Sequence, residues 1–256
     1  MRIAFAGDWH QHLGWAPGVV TAAADAGALL LVHLGDFGIW RGRHGEEFLA
    51  AVDAAAGAAG IEVWVVPGNH EDHDLIAGLP RDEQGRLQAA EHVRVLPRGH
   101  AFALDGVRFA AVGGAVSIDR GSRVAGRSWW PQEAVSAQEE QHLVATADPV
   151  DVLLLHDAPW GVPLPLPPPG PRARLRLGGV LADARAHRER IRRIADAYRP
   201  TWILHGHYHV AHRARLRAPD YVADVVGLDQ ERSPRNLAVA STDRFRALVD
   251  WVDPLA

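Results

Sequence analysis

Ile61–Glu71 reads IEVWVVPGNHE: six residues rich in β-branched and aromatic side chains, then Pro-Gly, then Asn69, His70 and Glu71. The first half, Ile61–Val66, fits a short buried strand. Pro67-Gly68 ends it, and side chains with ligating and acid–base chemistry follow at once. The same arrangement recurs along the chain. Arg2–Ala6 (RIAFA) runs into Gly7-Asp8-Trp9-His10. Ala28–Leu34 (ALLLVHL) runs into Gly35-Asp36-Phe37-Gly38. Asp151–Leu155 is followed by His156-Asp157, and Thr201–Leu204 by His205-Gly206-His207-Tyr208-His209. Helix-like stretches separate these strands, notably Glu46–Ala59, Glu133–Ala145 and Val180–Tyr198, the last stopped by Pro200. Alternation of this kind predicts an α/β fold with parallel neighbours. In open α/β sheets ligands bind beyond the carboxyl ends of the strands, so five such ends bring Asp, Asn and His side chains to one place.

Further elements are expected outside the repeated pattern. Val93–Leu96, Phe102–Leu104 and Val107–Val112 read as strand, turn and strand, with Asp105-Gly106 as the hairpin turn. His209–Leu216, Tyr221–Val226, Leu237–Ala240 and Ala247–Val252 read as an antiparallel meander. Ala158–Pro171 (APWGVPLPLPPPGP) holds seven prolines and reads as a surface loop, as does the Gly-, Ser- and Arg-rich Gly113–Gln132. No internal repeat or linker divides the 256 residues, which predicts one domain over 1–256.

Composition removes several function classes. There is no cysteine, which excludes disulfides, thiolate zinc sites and a cysteine nucleophile. All 27 basic residues are arginine, which excludes Schiff-base and P-loop chemistry. The net charge of −4 does not by itself announce a nucleic-acid binder, and nucleic acid stays open as a partner. No apolar run approaches the ~18 residues of a membrane span, and the N-terminus lacks signal-peptide features. The expectation is a soluble, cytoplasmic protein without a membrane partner.

The strand-end residues form a metal-ligating set. Imidazole, carboxylate and amide oxygen suit Mn, Fe, Zn, Ni or Co. They outnumber the ligands of one tetrahedral ion, and a carboxylate can bridge a pair of ions ~3.5–4 Å apart. His207 and His209, two residues apart, share one side of an extended segment.

Read in order, Asp8-Trp9-His10, Gly35-Asp36, Gly68-Asn69-His70-Glu71, His156 and Gly206-His207-Tyr208-His209 match the five blocks D-x-H, G-D, G-N-H-[DE], H and G-H-x-H. On these blocks the chain resembles the calcineurin-like metallophosphoesterase superfamily. The resemblance spans residues 8 to 209. It implies two mixed β-sheets packed as a sandwich and flanked by α-helices, in four layers. It implies that Asp8, His10 and His209 bind one metal, that Asn69, His156 and His207 bind the other, and that Asp36 bridges both. His70 does not ligate in this scheme; it serves as general acid to the leaving oxygen. The implied cofactor is two divalent or mixed-valence ions, manganese first, with iron, zinc, nickel or cobalt also accommodated. The implied reaction is hydrolysis of a phosphate ester by a metal-bridging hydroxide, on a small-molecule phosphodiester or nucleotide-type substrate.

Two alternatives stand beside this reading: a nuclease acting on DNA or RNA, and a non-catalytic scaffold of the same fold. The nuclease rests on Arg172–Arg199, which holds nine Arg against three acids. The scaffold is disfavoured because every ligand position is filled. The protein Ser/Thr phosphatase branch is disfavoured because His10 is followed by Gln11, and because Gly35–Arg41 lacks that branch's second Asp. Arg41, Arg43, Arg120 and Arg123 are candidates for holding phosphate. Trp9, Trp40, Trp129, Trp130 and Trp160 are candidates for a stacking slot. His205 is expected to be structural, and His12, Asp72 and His73 to be solvated loop residues.

Overall fold

The computed structural model describes residues 1–244 and 249–254. In chain order the elements are β1 (Arg2–Ala6), α1 (Ala16–Asp25), β2 (Leu30–His33), α2 (Arg43–Ala59), β3 (Glu62–Val65), α3 (His73–Ala77), β4 (Leu87–Gln88), β5 (Val93–Val95), β6 (His100–Leu104) and β7 (Val107–Val112). They continue with α4 (Ala137–Thr146), β8 (Val152–Leu155), α5 (Pro171–Tyr198), β9 (Trp202–His205), β10 (His212–Arg217), β11 (Val222–Gly227), β12 (Leu237–Ser241) and β13 (Val249–Val252).

The strands form two mixed sheets. The first has the order β13-β12-β1-β2-β3-β5-β4 and the second β10-β11-β9-β8-β7-β6. In the first, β1, β2, β3 and β5 run parallel while β12, β13 and β4 are antiparallel to their neighbours. In the second, β7, β8, β9 and β11 are parallel and the outer strands β6 and β10 antiparallel.

Strand alternation explains the layers. Ile3 and Phe5 of β1 point inward with Val32, Phe109, Leu154 and Leu204, making a core between the sheets. Ala4 and Ala6 point outward, packing with Val19 and Val20 of α1 and Phe48 and Val52 of α2. On the far side Leu153 and Ile203 pack against Leu143 of α4 and Ile191 and Ile194 of α5. The four-layer sandwich with flanking helices is therefore the one expected.

Several boundaries differ from the sequence reading. Helix α1 has no counterpart in that reading, although both of its ends are marked, by Pro17 in its first turn and by Gly27, with φ 80°, just past its C-cap Ala26. Helix α4 begins at Ala137, not Glu133, because Ser136 caps it in a reciprocal capping box with Glu139. Helix α5 begins at Pro171, not Val180, and proline fits a first helical position. Strand β5 belongs to the first sheet and β6–β7 to the second, so the chain crosses between sheets after Leu96. The turn itself is as read: Asp105 and Gly106 both have positive φ, 47° and 78°, as a type I′ turn requires.

The C-terminal meander is a correction. β10 and β11 pair with each other, but β11 then lies parallel to β9, while β12 enters the other sheet antiparallel to β1. Local alternation cannot specify which sheet a strand joins. The expected Ala247–Val252 strand is seen from Val249, its first residues lying outside those described. Gly113–Gln132 is likewise no simple surface loop, since Gly113–Ser117 is buried.

Candidate metal centre

The carboxyl ends of β1, β2 and β3 in one sheet and of β8 and β9 in the other meet at a single edge of the sandwich. Asp8, His10, Asp36 and His209 there each present a ligand atom, all within 4.8 Å of one another. Asp36, His156 and His207 form a second such group, so Asp36 belongs to both. Asn69 and His70 lie at the same edge, hydrogen-bonded to His156 and Asp36 respectively. The eight residues named from the sequence thus converge.

The backbone turns hard to achieve this. Asp8, His10, Asp36, His207 and His209 all have positive φ, between 44° and 69°. Left-handed conformations of this kind cost non-glycine residues free energy and persist where the surroundings impose them. Asp8 and Asp36 follow glycines that let backbones close in. A Cβ on Gly35 would stand 2.1 Å from His156 Nδ1, in a residue whose φ is 97°. One on Gly68 would stand 2.2 Å from both the amide nitrogen and Oδ1 of Asp36.

Hydrogen bonds orient each donor atom. His156 Nδ1 donates to the carbonyl of Leu34 at 2.7 Å, which aims Nε2 at Asn69 Oδ1, 3.0 Å away, and at Asp36 Oδ1, 3.3 Å away. His10 Nδ1 pairs with Glu231 Oε2 at 2.9 Å, turning Nε2 toward Asp36 Oδ2 at 3.5 Å. The Asn69 amide donates to Ser117 Oγ at 3.0 Å, and Ser117 in turn donates its hydroxyl and backbone N–H to Glu133, each at 2.7 Å. That chain fixes which way the amide faces and leaves Asn69 Oδ1 toward His156. The Asp8 carboxylate accepts the His207 N–H, and Asp36 Oδ1 accepts the His70 N–H at 2.8 Å. His209 Nε2 is 3.8 Å from Asp8 Oδ1.

The electrostatics are those of a buried anionic pocket. Burial pushes the Asp8 carboxyl up to about 8, with the Asp36 carboxylate adding to the effect. Burial also disfavours charge on Asp36, but His156 and His10 overrule it and hold Asp36 well below the usual carboxylate range. Burial opposes charge on the imidazoles as well. Hydrogen bonds to Asp36 and Glu231 nevertheless lift His10 to about 10, and Asp36 lifts His156 to about 9. His207 is pushed down to about 4 by burial. Two buried carboxylates balanced by imidazole nitrogens, with N and O donors and no sulfur, fit hard or borderline divalent cations.

Residues outside the ligand set hold this constellation. Glu71 accepts the N–H groups of Phe37, Gly38 and Ile39 at 2.8–3.0 Å, gripping the loop after Asp36; burial raises its carboxyl to about 7. Asn236 accepts from the indoles of Trp9 and Trp15 and donates to the carbonyls of Gly7 and Asp229. Asp157 accepts from His187 of α5 at 2.7 Å and from Tyr208 at 2.5 Å. Nothing in a single sequence marks Ser117, Glu133, Glu231 or Asn236, because they reach the site only through tertiary folding.

The secondary candidates separate. Arg123 Nη2 lies 2.6 Å from His70 Nδ1 and 2.8 Å from Asp119, and burial lowers the proton affinity of His70. Arg41 pairs with Asp72, Arg43 with Glu47, and Arg120 with Asp183. Asp72 is buried as the N-cap of α3 rather than solvated, and His73 is largely buried as well, its proton affinity lowered to about 4 by burial. Trp9 is fully buried and Trp130 nearly so, which removes both as stacking surfaces; Trp40 donates to the His70 carbonyl. Trp160 remains at the cleft. Among the arginines of α5, Arg185, Arg190, Arg192 and Arg193 pair with acids and Arg188 caps carbonyls of the preceding loop.

A family model described as calcineurin-like phosphoesterase matches residues 1–211. Among solved structures, the TT1561 protein of Thermus thermophilus is similar at 13% identity and a TM-score of 0.58, covering 99% of this chain and 98% of that one. A dimetal phosphatase from Danio rerio is similar at 14% identity and a TM-score of 0.56, covering 94% and 92%. At such identities these two likenesses speak to the fold. No curated protein sequence matches the chain. No helix among the described residues is long and apolar enough to cross a membrane.

Proposed function

Because this chain belongs to the calcineurin-like phosphoesterase family, we propose that it is a metal-dependent hydrolase of phosphate esters that works with two cations. The observation that carries the reading is Asp36, whose carboxylate belongs to both ligand groups at the edge of the sandwich. Asp8, His10, Asp36 and His209 would hold one ion; Asp36, Asn69, His156 and His207 would hold the other. Manganese is the first candidate on this donor set. Bound there, the pair would neutralise charge on the phosphoryl oxygens and lower the pKa of water.

The protein's own residues do the rest. The Leu34 carbonyl, Glu231 and Ser117 orient His156, His10 and Asn69 before any ligand arrives, which removes reorganisation from the reaction. His70 is held by its N–H on Asp36, by Trp40 on its carbonyl and by Arg123 on its ring. Its ring stands beside His10, centroids 5.6 Å apart, and lines the cleft. From there it would deliver a proton to the departing oxygen. The substrate would be a phosphodiester rather than the nucleotide-type ester that the resemblance equally allows, because the cleft lining offers a base few free polar groups, and the work would be done by one domain in the cytoplasm. Four of the eight α5 arginines, Arg185, Arg190, Arg192 and Arg193, are paired with acids, which reduces the positive charge that the helix offers a polymeric nucleic acid.

His70→Gln tests the role of that ring. Metal content should stay that of the wild type while turnover falls ~10²-fold or more. Unchanged turnover removes His70 from the chemistry; lost metal makes it a ligand instead.

A further inference from the structure

The cleft that begins at the metal centre continues away from it as an apolar trench. Its volume is about 910 Å³, at the upper end of the ~300–1,000 Å³ of small-molecule sites. Asp36, Asn69, His70, His207 and His209 form one end. The far wall is the proline-rich segment, through Leu164, Leu166 and Pro167–Pro169; α5 supplies Leu181 and Ala184, and Ile118 closes the rim. A phosphoryl group alone needs none of this surface.

Three of the nine large hydrophobic side chains exposed among the described residues, Ile118, Trp160 and Leu166, lie on this trench. Scattered exposed hydrophobics are ordinary, but convergence on a cleft marks a binding surface. The start of the proline-rich segment is tied to α5. Trp160 N–H donates to the Arg188 carbonyl, and Arg188 reaches back to the carbonyls of Ala158, Pro159 and Val162.

The polar groups along the trench are already engaged. Arg185 is paired with Glu189 and its guanidinium lies 4.6 Å from the centre of the Trp160 ring. Asp119 is paired with Arg123, and the Tyr208 hydroxyl donates to Asp157. A nucleobase would find few free donors or acceptors for its edge and one indole face already occupied. An alkyl or aryl group asks only for removal from water.

We infer that the ester group of the substrate is a large apolar one, an alkyl chain or hydrophobic aryl group, seated between the proline-rich segment and α5 with its phosphoryl group at the metal centre. The inference rests on the hydrolase reading for its phosphoryl end only.

The test uses the manganese-loaded protein and a series of methyl-, butyl- and octylphosphonate. Dissociation constants come from calorimetry, and inhibition constants from hydrolysis of bis(p-nitrophenyl) phosphate to p-nitrophenol and p-nitrophenyl phosphate. Octylphosphonate, kept below its micelle concentration, should bind on the order of 100-fold tighter than methylphosphonate, a partial share of the roughly four-fold per methylene of full burial. Leu181→Asp and the half-exposed Leu166→Ser should each shrink that ratio to below about 10-fold. Two variants guard against one failing to fold. A wild-type ratio near one, or a ratio that survives both variants, overturns the inference. So does tighter binding of adenosine monophosphate than of octylphosphonate, or retention on phosphatidylglycerol vesicles without any preference for the monomeric chain. If octyl preference and its loss in the variants are seen but no phosphoester is cleaved, the trench stands and the hydrolase reading falls. If esters are cleaved without chain preference, the reverse holds.

Discussion

At Gly68 there is no room for a side chain. A Cβ would meet the Asp36 amide and carboxylate at 2.2 Å, and both are fixed by the turn after β2. Gly68→Ala should therefore destabilise the fold by about 1–3 kcal/mol, the cost of overpacking, and reduce metal content, read by thermal unfolding and metal analysis. Ser117→Ala probes orientation instead. Without the hydroxyl the Asn69 amide loses its fixed facing, and metal affinity measured by chelator competition should weaken roughly 10- to 100-fold with the fold intact. Affinity equal to wild type would show that Ser117 does not orient Asn69. The positions that cluster at this edge are legible in the sequence because each sits immediately after an apolar strand and the five blocks come in order. Ser117, Glu133, Glu231 and Asn236 are not, since a serine in a glycine-rich stretch or an asparagine before a strand has no spacing that ties it to a site elsewhere in the chain. Glu71 stands inside a block, yet its role as acceptor for three loop amides depends on how that loop folds back.

Strand β12 shows what an element contributes beyond its own pairing. Its antiparallel return beside β1 carries Asn236 under Gly7, Trp9 and Trp15. Asn236→Ala should cost about 1–3 kcal/mol for each indole N–H left without its acceptor and loosen the turn that presents Asp8. Urea unfolding of the metal-free protein measures it, and a change within experimental error would mean water replaces the amide. The β6–β7 hairpin is readable because Asp-Gly imposes its own turn, whereas β10 to β13 read wrongly as a meander because alternation reports a half-buried strand and not its neighbour. Helix α5 reads nine residues short in the sequence: proline points to a loop, although Pro171 is a first-turn residue of the helix.

For the whole molecule, the ligand residues come from both sheets: Asp8, His10, Asp36 and Asn69 from the first, His156, His207 and His209 from the second. Bound cations would therefore tie the sheets together at one edge and stabilise the folded state by mass action. At free metal 100-fold above the dissociation constant this is about 2.7 kcal/mol, and a chelator should lower Tm by roughly 5–10 °C in a chain of this size. Metal affinity should also fall as pH is lowered from about 10 through neutrality, because His10 and His156, lifted to about 10 and about 9 in the metal-free protein, must each give up a proton to offer a ligating nitrogen. The α/β class follows from strand and helix alternation and the four-layer sandwich from the resemblance that the motif order carries; the trench follows from neither, since it arises where the proline-rich segment lies against α5. The measurement that bears most directly on the account is metal stoichiometry with turnover, on wild type and Asp36→Asn purified without chelator and assayed on bis(p-nitrophenyl) phosphate with added Mn²⁺. The account predicts close to two ions per wild-type chain with ester cleavage, and loss of both metal and turnover in Asp36→Asn. Full turnover in Asp36→Asn, or a wild-type chain that takes up no metal, would contradict it.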